Sequence, residues 1–264
     1  MSMINFSVLE KRLPTDHKAF LLASPIEHIV IDNFCELAPL ERALNSIPDP
    51  EVVGANKSRD YIFAKNKFEK SDFDLLCPEF ARLKTELMSP RFEAWISALT
   101  GEQIFIDPSF HGGGIHQGGR DSFLDMHVDF NYHPQNPCWF RNINILLYLN
   151  KDWQREYGGQ LKLADGRLEK PHATLVEPLF NRAVIMFTRD YTLHGYDRIN
   201  FPQGAYRRSI AAYGYTQMAS EGKVRTTVWY PEQSGRVKQF LGRHMPKLVR
   251  IKSALLGSGT NKNK

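Results

Sequence analysis

Phe123-Leu124-Asp125-Met126-His127-Val128-Asp129-Phe130 is the stretch on which the reading of the fold turns. It reads as a β-strand, in which side chains at i and i+2 point the same way. His127 and Asp129 therefore present an imidazole and a carboxylate on one face. Such a pair is two thirds of a 2-His-1-carboxylate facial triad, the ligand set that holds non-haem Fe(II) with coordination positions left open. A His-X-Asp pair arises easily by chance, so its weight depends on what the surrounding chain supplies.

Outward from that strand, Gln103 to Thr216 is a succession of short β-rich runs separated by turn residues. The runs are Gln103–Ile106, Phe123–Phe130, Asn142–Leu149, Gln160–Leu163, Ala173–Val176, Arg182–Thr188 and Arg207–Tyr215. This pattern predicts a mainly β fold with flanking helices, a sandwich or barrel of the jelly-roll kind: a double-stranded β-helix, cupin-like core. His194 follows Arg182–Thr188 at a strand-to-turn boundary. In a jelly roll the second and seventh strands are neighbours near one mouth, which lets His194 complete the triad.

The next strand puts Arg207, Ser209, Ala211, Tyr213 and Tyr215 on one face and Arg208, Ile210, Ala212 and Gly214 on the other. An arginine pointing into a barrel is costly unless it meets an anion, and its fork matches a carboxylate. A register slip of one residue would exchange Arg207 with Arg208. A 2-oxoglutarate chelated at the triad would extend its far carboxylate to such a position, with Ser209 or Tyr148 as helper. Tyr148 lies on Arg141–Asn150, on the same face as Asn144 and Leu146.

The ordered set His127-X-Asp129, Arg141 to Trp153, Gly158-Gly159-X-Leu161, Glu177-Pro178, His194 and Arg207-X-Ser209-Ile210 resembles the prolyl-4-hydroxylase-type 2-oxoglutarate/Fe(II) oxygenases. The run Tyr148 to Trp153 is also similar to the hypoxia-factor prolyl hydroxylases. His111-Gly112-Gly113-Gly114-Ile115-His116-Gln117 resembles a bacterial branch of the superfamily. The resemblance covers roughly Glu102 to Thr216.

It implies His127, Asp129 and His194 as catalytic iron ligands, Arg207 as salt-bridge partner of the 2-oxoglutarate C5 carboxylate, and Tyr148 as a donor to it. Asn144, Ser209 and Tyr213 would line the cofactor slot. The cofactors implied are Fe(II), 2-oxoglutarate as co-substrate, and O2, with release of succinate and CO2 as an unactivated C–H bond is hydroxylated or otherwise oxidised. Related halogenases lack the carboxylate that Asp129 provides, which favours hydroxylation here. Substrate contacts are expected from loops at the barrel mouth: His116, Gln117, Arg120, Asn131, Tyr132, His133, Tyr196 and Arg198.

A polar small molecule is the expected substrate, since no peptide-binding module or recruiting repeat is visible. Prolyl hydroxylation of a protein or peptide is the alternative. A non-catalytic 2-oxoglutarate or iron sensor stays open as a different class, with the intact triad and Arg207 arguing against it; a zinc hydrolase could use the same three ligands but would not need an inward Arg207. An esterase reading of the glycine run fails for want of a Gly-X-Ser-X-Gly elbow, and a phosphate loop fails because no Gly-Lys-Ser/Thr follows.

Composition sets the frame. With 264 residues, 42% hydrophobic and 24% charged, the chain suits an ordinary globular protein built around one core. One domain is expected: a strand and supporting helices over 1–100, the catalytic core over 101–217, and a strand, basic helix and flexible tail over 218–264. Helices are expected over Asn33–Ile47, over Pro78–Thr100 with a break at Ser89-Pro90 and a cap at Gly101, and from Pro231 to about Leu256. Short strands are expected at Glu27–Asp32, Tyr61–Phe63 and Val224–Tyr230.

The net charge of +5 is concentrated late, from Arg236 to Lys264, and reads as a solvated helix face and tail rather than a nucleic-acid site. Cys35, Cys77 and Cys138 lack metal-type spacing and suit the reduced thiols of a cytoplasmic protein. No apolar run is long enough to span a membrane. Oligomeric state is left open.

Overall fold

The computed structural model of the chain describes residues 2–50, 56–57, 62–231 and 238–242. In chain order these form α1 (Phe6–Leu22), β1 (His28–Asp32), α2 (Leu37–Asn45), β2 (Asn56–Lys57), β3 (Ala64–Lys70), α3 (Pro78–Leu87), α4 (Pro90–Thr100), β4 (Phe105–Ile106), β5 (Gly114–Val128), β6 (Tyr132–His133), β7 (Asn136–Tyr148), β8 (Leu161–Asp165), β9 (Thr174–Val176), β10 (Arg182–Phe187), β11 (Thr192–Tyr196), β12 (Arg207–Gln217) and β13 (Val228–Trp229). Among them, no helix is long and apolar enough to cross a membrane.

The main sheet runs β1-β10-β7-β12-β5-β11-β8-β9, and its neighbouring strands are antiparallel. Its jelly-roll curl comes from β5, which serves both halves. The first part of β5 pairs with β12, Gly118 opposite Arg207 and Gly114 opposite Ala211. Its last part pairs with β11, His127 opposite His194. Between them Asp121 takes a left-handed φ of 64° and the register with β3 shifts, so the strand turns from one half to the other.

The pleat sorts the side chains. Ile143, Ile145 and Leu147 of β7, Ala183, Ile185 and Phe187 of β10, and Ile210 and Ala212 of β12 join one core with the helices. The alternate positions, including Asn144, Tyr148, Ser209 and Tyr213, line the barrel interior. A polar interior behind an apolar outer face is the reverse of a simple sandwich, and it needs a helical layer to cover that outer face. Pro78 and Pro90 start α3 and α4 at the first turn, where a missing N–H costs nothing. Ser89 caps α4, and Gly101 ends it with φ 76°.

Four elements depart from the sequence expectation. α1 occupies what reads as a polar opening; Pro14 inside it hides the helix, which is held by Phe6, Leu9 and Phe20, the last 4.9 Å edge-on from Phe187. β5 starts at Gly114 rather than at Phe123, because its glycines resemble a loop while their backbones complete a ladder. β3 covers Ala64–Lys70 in place of a strand at Tyr61–Phe63; Tyr61 itself lies outside the described residues. His194 lies within β11 and not at a turn. The expected C-terminal helix lies outside the described residues except for 238–242, which are helical, and so does the tail from Gly257.

Candidate active site

One cavity of about 230 Å3 opens from the barrel interior, and His127, Asp129, His194 and Arg207 all line it. His127 is delivered by the end of β5, Asp129 by the residue but one after it, and His194 by the facing strand β11. The three residues each bring a ligand atom within 4.8 Å of the others. His127 Nε2 lies 3.5 Å from Asp129 Oδ1, and His194 Nε2 lies 3.2 Å from Asp129 Oδ2.

The donor set fits a cation. His127 Nδ1 is 2.9 Å from the Asp125 carbonyl, so that nitrogen carries the proton and Nε2 holds a lone pair. That lone pair faces a carboxylate oxygen, two acceptors turned toward one point. Burial would raise the Asp129 carboxyl, but the Arg141 guanidinium, followed by His194, holds it well below the usual range. Burial, then the neighbouring His127, lowers His194 and favours its neutral, ligating form.

Asp129 is also aimed. Its Oδ2 accepts from Arg141 Nη2 and from Asn144 Nδ2, both at 2.8 Å, while Asn144 Oδ1 accepts from Arg141 Nε at 3.1 Å and Nη2 at 2.8 Å. Oδ1 is left toward His127, while Oδ2 also faces His194. Asn144, expected to line the cofactor slot, therefore also clamps the carboxylate. Arg141 is buried, with its guanidinium 3.6 Å over the Tyr213 ring. Its functional position was not foreseen, because a bulge opposite Gly214/Tyr215 shifts the register by one residue and turns Arg141 inward, against the alternation.

At the start of β12, Arg207 is buried while Arg208 turns to the other face and bonds Gln117 Oε1 at 2.9 Å. Arg207 Nε donates to the Gly159 carbonyl at 2.7 Å, and its Nη2 lies 3.3 Å from Tyr148 Oη. Its guanidinium sits 4.3 Å over the Tyr196 ring. No carboxylate among the described residues pairs with it. A buried cation that faces a cavity and has no carboxylate partner among the described residues fits a carboxylate ligand. Gly159 is required: a Cβ there would meet Arg207 Cδ at 2.9 Å.

The other expected residues divide. His116, Gln117, Tyr196, Ser209 and Tyr213 border the cavity, with the Tyr213 hydroxyl donating to the Gly112 carbonyl at 2.8 Å. Arg120 and Arg198 are exposed, Arg198 facing Asp121 at 3.5 Å, and neither borders the cavity. His133 is buried among Trp139, Tyr215 and Asp107. Asn131 and Tyr132 border a separate depression with Arg225.

Sequence reasoning missed Lys67, Glu69 and Trp229, which also line the cavity. Trp229 lies 4.8 Å from the His127 ring at 31°, backed by Phe63 stacked at 5.2 Å. Period-2 alternation of Lys65, Lys67 and Glu69 was the available signal, but alternate charges ordinarily mark a solvated face.

A curled double sheet holding a His-X-Asp and His cluster, with an arginine in the same cavity that no carboxylate among the described residues pairs, is the arrangement expected of metal-dependent oxygenases that use a keto acid. Residues 113–215 match the family model described as the 2OG-Fe(II) oxygenase superfamily, and with the ligand cluster this match indicates a dioxygenase that uses Fe(II), 2-oxoglutarate and O2. Solved structures share the fold. A prolyl hydroxylase from Trichoplax adhaerens, solved with a hypoxia inducible factor peptide fragment, is 16% identical over 79% of this chain and 92% of its own, with a TM-score of 0.57. A Pseudomonas putida prolyl-4-hydroxylase is 13% identical over 78% and 100%, TM-score 0.54. A 2OG-Fe(II) oxygenase family oxidoreductase from Burkholderia pseudomallei is 12% identical over 80% and 94%, TM-score 0.52.

Proposed function

We propose that this dioxygenase hydroxylates an unactivated C–H bond of a polar small molecule, with His127, Asp129 and His194 holding the metal and Arg207 and Tyr148 holding the far carboxylate of 2-oxoglutarate. The observation that carries the reading is the pairing, in one cavity, of a converging acceptor set with a buried guanidinium that no carboxylate among the described residues satisfies. Bound iron, 2-oxoglutarate and O2 supply the chemistry: the keto acid is decarboxylated to succinate and CO2, taking one oxygen atom, and the other goes to the target carbon.

The chain's own residues position and exclude. Arg141 and Asn144 fix Asp129 through Oδ2, which holds the carboxylate beside the two imidazoles. Arg207, braced by Gly159 and flanked by Tyr148 and Tyr196, gives the co-substrate one orientation. Tyr148 stays protonated, its phenol raised by burial against the opposing pull of Arg207, and so remains a donor. The enclosing Trp229 and Leu146 limit water. A cavity of this size favours a small target over a folded protein.

The test is anaerobic titration of the Fe(II)-loaded protein with 2-oxoglutarate, watching for the weak visible charge-transfer band of keto-acid chelation. A saturable band, absent in Asp129→Ala, is expected. No band with iron bound would end the oxygenase assignment for this site, and turnover on proline-containing peptides alone would replace the small molecule with a prolyl target.

A further inference from the structure

The cavity holds one charged pair that neither the metal nor 2-oxoglutarate uses. Lys67 and Glu69 lie on β3, with Lys67 in register with Gly118 and, across it, Arg207. Glu69 is in register with His116 and, beyond it, Ser209 and Tyr148. Both side chains border the cavity, and Lys67 Nζ stands 2.6 Å from Glu69 Oε1. Each is only partly exposed, 16% and 33%.

The charges lining the cavity are Lys67, Arg141 and Arg207 against Glu69 and Asp129. Arg141 is committed to Asp129, and Arg207 to the co-substrate. Lys67 and Glu69 remain as a neutral dipole in the wall. A half-buried ion pair gains little for stability, so its placement in the cavity wall points to a ligand.

Resting on the oxygenase reading above, we infer that Lys67 and Glu69 recognise the backbone of a free α-amino acid, Lys67 taking its carboxylate and Glu69 its ammonium. The dimensions match. Covalent geometry holds the ammonium nitrogen and nearer carboxylate oxygen of an α-amino acid about 2.7 Å apart, against 2.6 Å for the protein pair. Laid head to tail, the two dipoles alternate four charges, and neither partner is left unsatisfied. A peptide-bonded residue carries neither charge and would leave the pair closed on itself.

His116 supports this end of the cavity. Its Nε2 lies 3.2 Å from the Gly112 carbonyl and donates to it in the neutral form, leaving Nδ1 as an acceptor. Burial, and next Lys67, lowers its pKa to about 3, so it adds no cation to repel the ammonium. Burial would raise Glu69, but Lys67 and then His116 bring it to about 2, so the carboxylate is charged throughout the working range.

The experiment measures succinate release by the full chain loaded with Fe(II) and 2-oxoglutarate, with the proteinogenic L-α-amino acids, their N-acetyl forms and their carboxamides as probes. At least one free amino acid should raise release tenfold or more above the rate without it, and both of its blocked forms should fail. Lys67→Met and Glu69→Gln should each raise the KM for that amino acid at least tenfold while shifting half-saturation by 2-oxoglutarate less than twofold. Lys67→Met/Glu69→Leu removes the pair without leaving a lone buried charge, and should lose the stimulation as well. Equal stimulation by blocked forms, or none by any free amino acid while uncoupled succinate release persists, overturns the inference and leaves the oxygenase reading standing. So does a tenfold rise in the 2-oxoglutarate requirement of Lys67→Met. No release and no keto-acid binding would instead overturn the oxygenase reading, and this inference with it.

Discussion

At the scale of single residues the site is a problem of buried charge, and two arginines solve it differently. Arg207 has no anion among the described residues, so its loss should be felt by the co-substrate: Arg207→Ala is expected to raise half-saturation by 2-oxoglutarate at least tenfold, and Arg208→Ala, whose wild-type side chain turns to Gln117, less than threefold. Succinate formation against 2-oxoglutarate concentration checks the ranking, and the reverse order would mean that the wrong arginine faces the cavity. Arg141 has its anion in Asp129, so Arg141→Met leaves a buried carboxylate alone, a change that costs about 3–5 kcal/mol where both partners are sequestered. A divalent cation at the triad restores the missing charge. Thermal unfolding with and without Ni(II) should show a lower Tm for metal-free Arg141→Met and a larger rise on adding metal than in the wild type; equal rises would refute the charge balance. The contrast also explains what could be read in advance. Arg207 was legible because alternation on an unbroken strand gives its face. Arg141 was hidden by a bulge, which alternation cannot anticipate.

At the scale of elements the site depends on how closely β11 approaches β5. A Cβ on Gly195 would sit 2.5 Å from the Leu124 carbonyl oxygen and 2.9 Å from Asp125 backbone atoms, so Gly195→Ala must push the strands apart. His194 and His127 are paired across that contact. The variant is expected to fold with metal affinity reduced at least tenfold, measured by Ni(II) titration; unchanged affinity would show that the spacing of the imidazoles does not depend on this contact. Trp229→Ala should act more weakly, within about threefold to tenfold on the same titration, because it frees the His127 ring from one aromatic neighbour but leaves its Nδ1 bond intact. Strands of alternating or continuous apolar character, β7 to β10 and β12, were legible with ends misplaced by only a few residues, β7 excepted at its start, whereas β11 was read as a turn. The first part of β5 and all of β3 were not. Their glycines and alternating charges serve the cavity, and residues chosen for a cavity do not carry the hydrophobic period by which strands are recognised.

At the scale of the whole molecule the helical layer and the barrel interior are separate environments on two faces of one sheet. The apolar face binds α1 and α4 through Phe20, Phe34 and Trp95, and its substitutions should cost stability without altering the site. The polar face places ionisable groups in a cavity, so it links folding to pH. His116 titrates near 6.5 when unfolded and at about 3 in the folded chain. Its folded pKa is depressed, so as pH falls from 6.5 toward 3 the unfolded chain takes up a proton that the folded chain refuses, and stability declines across that window. Glu69, with a folded pKa of about 2 against 4.5, adds a second loss below pH 4.5 with the same sign. Lys67, Glu69 and Arg207 are the charges that act on His116. In urea unfolding of metal-free protein, His116→Asn should therefore lose less stability than the wild type between pH 6.5 and 4.5, the slopes differing by at most one proton, about 1.4 kcal/mol per pH unit. Parallel curves would mean that His116 is solvated and free to charge, and would remove the neutral imidazole from the cavity wall.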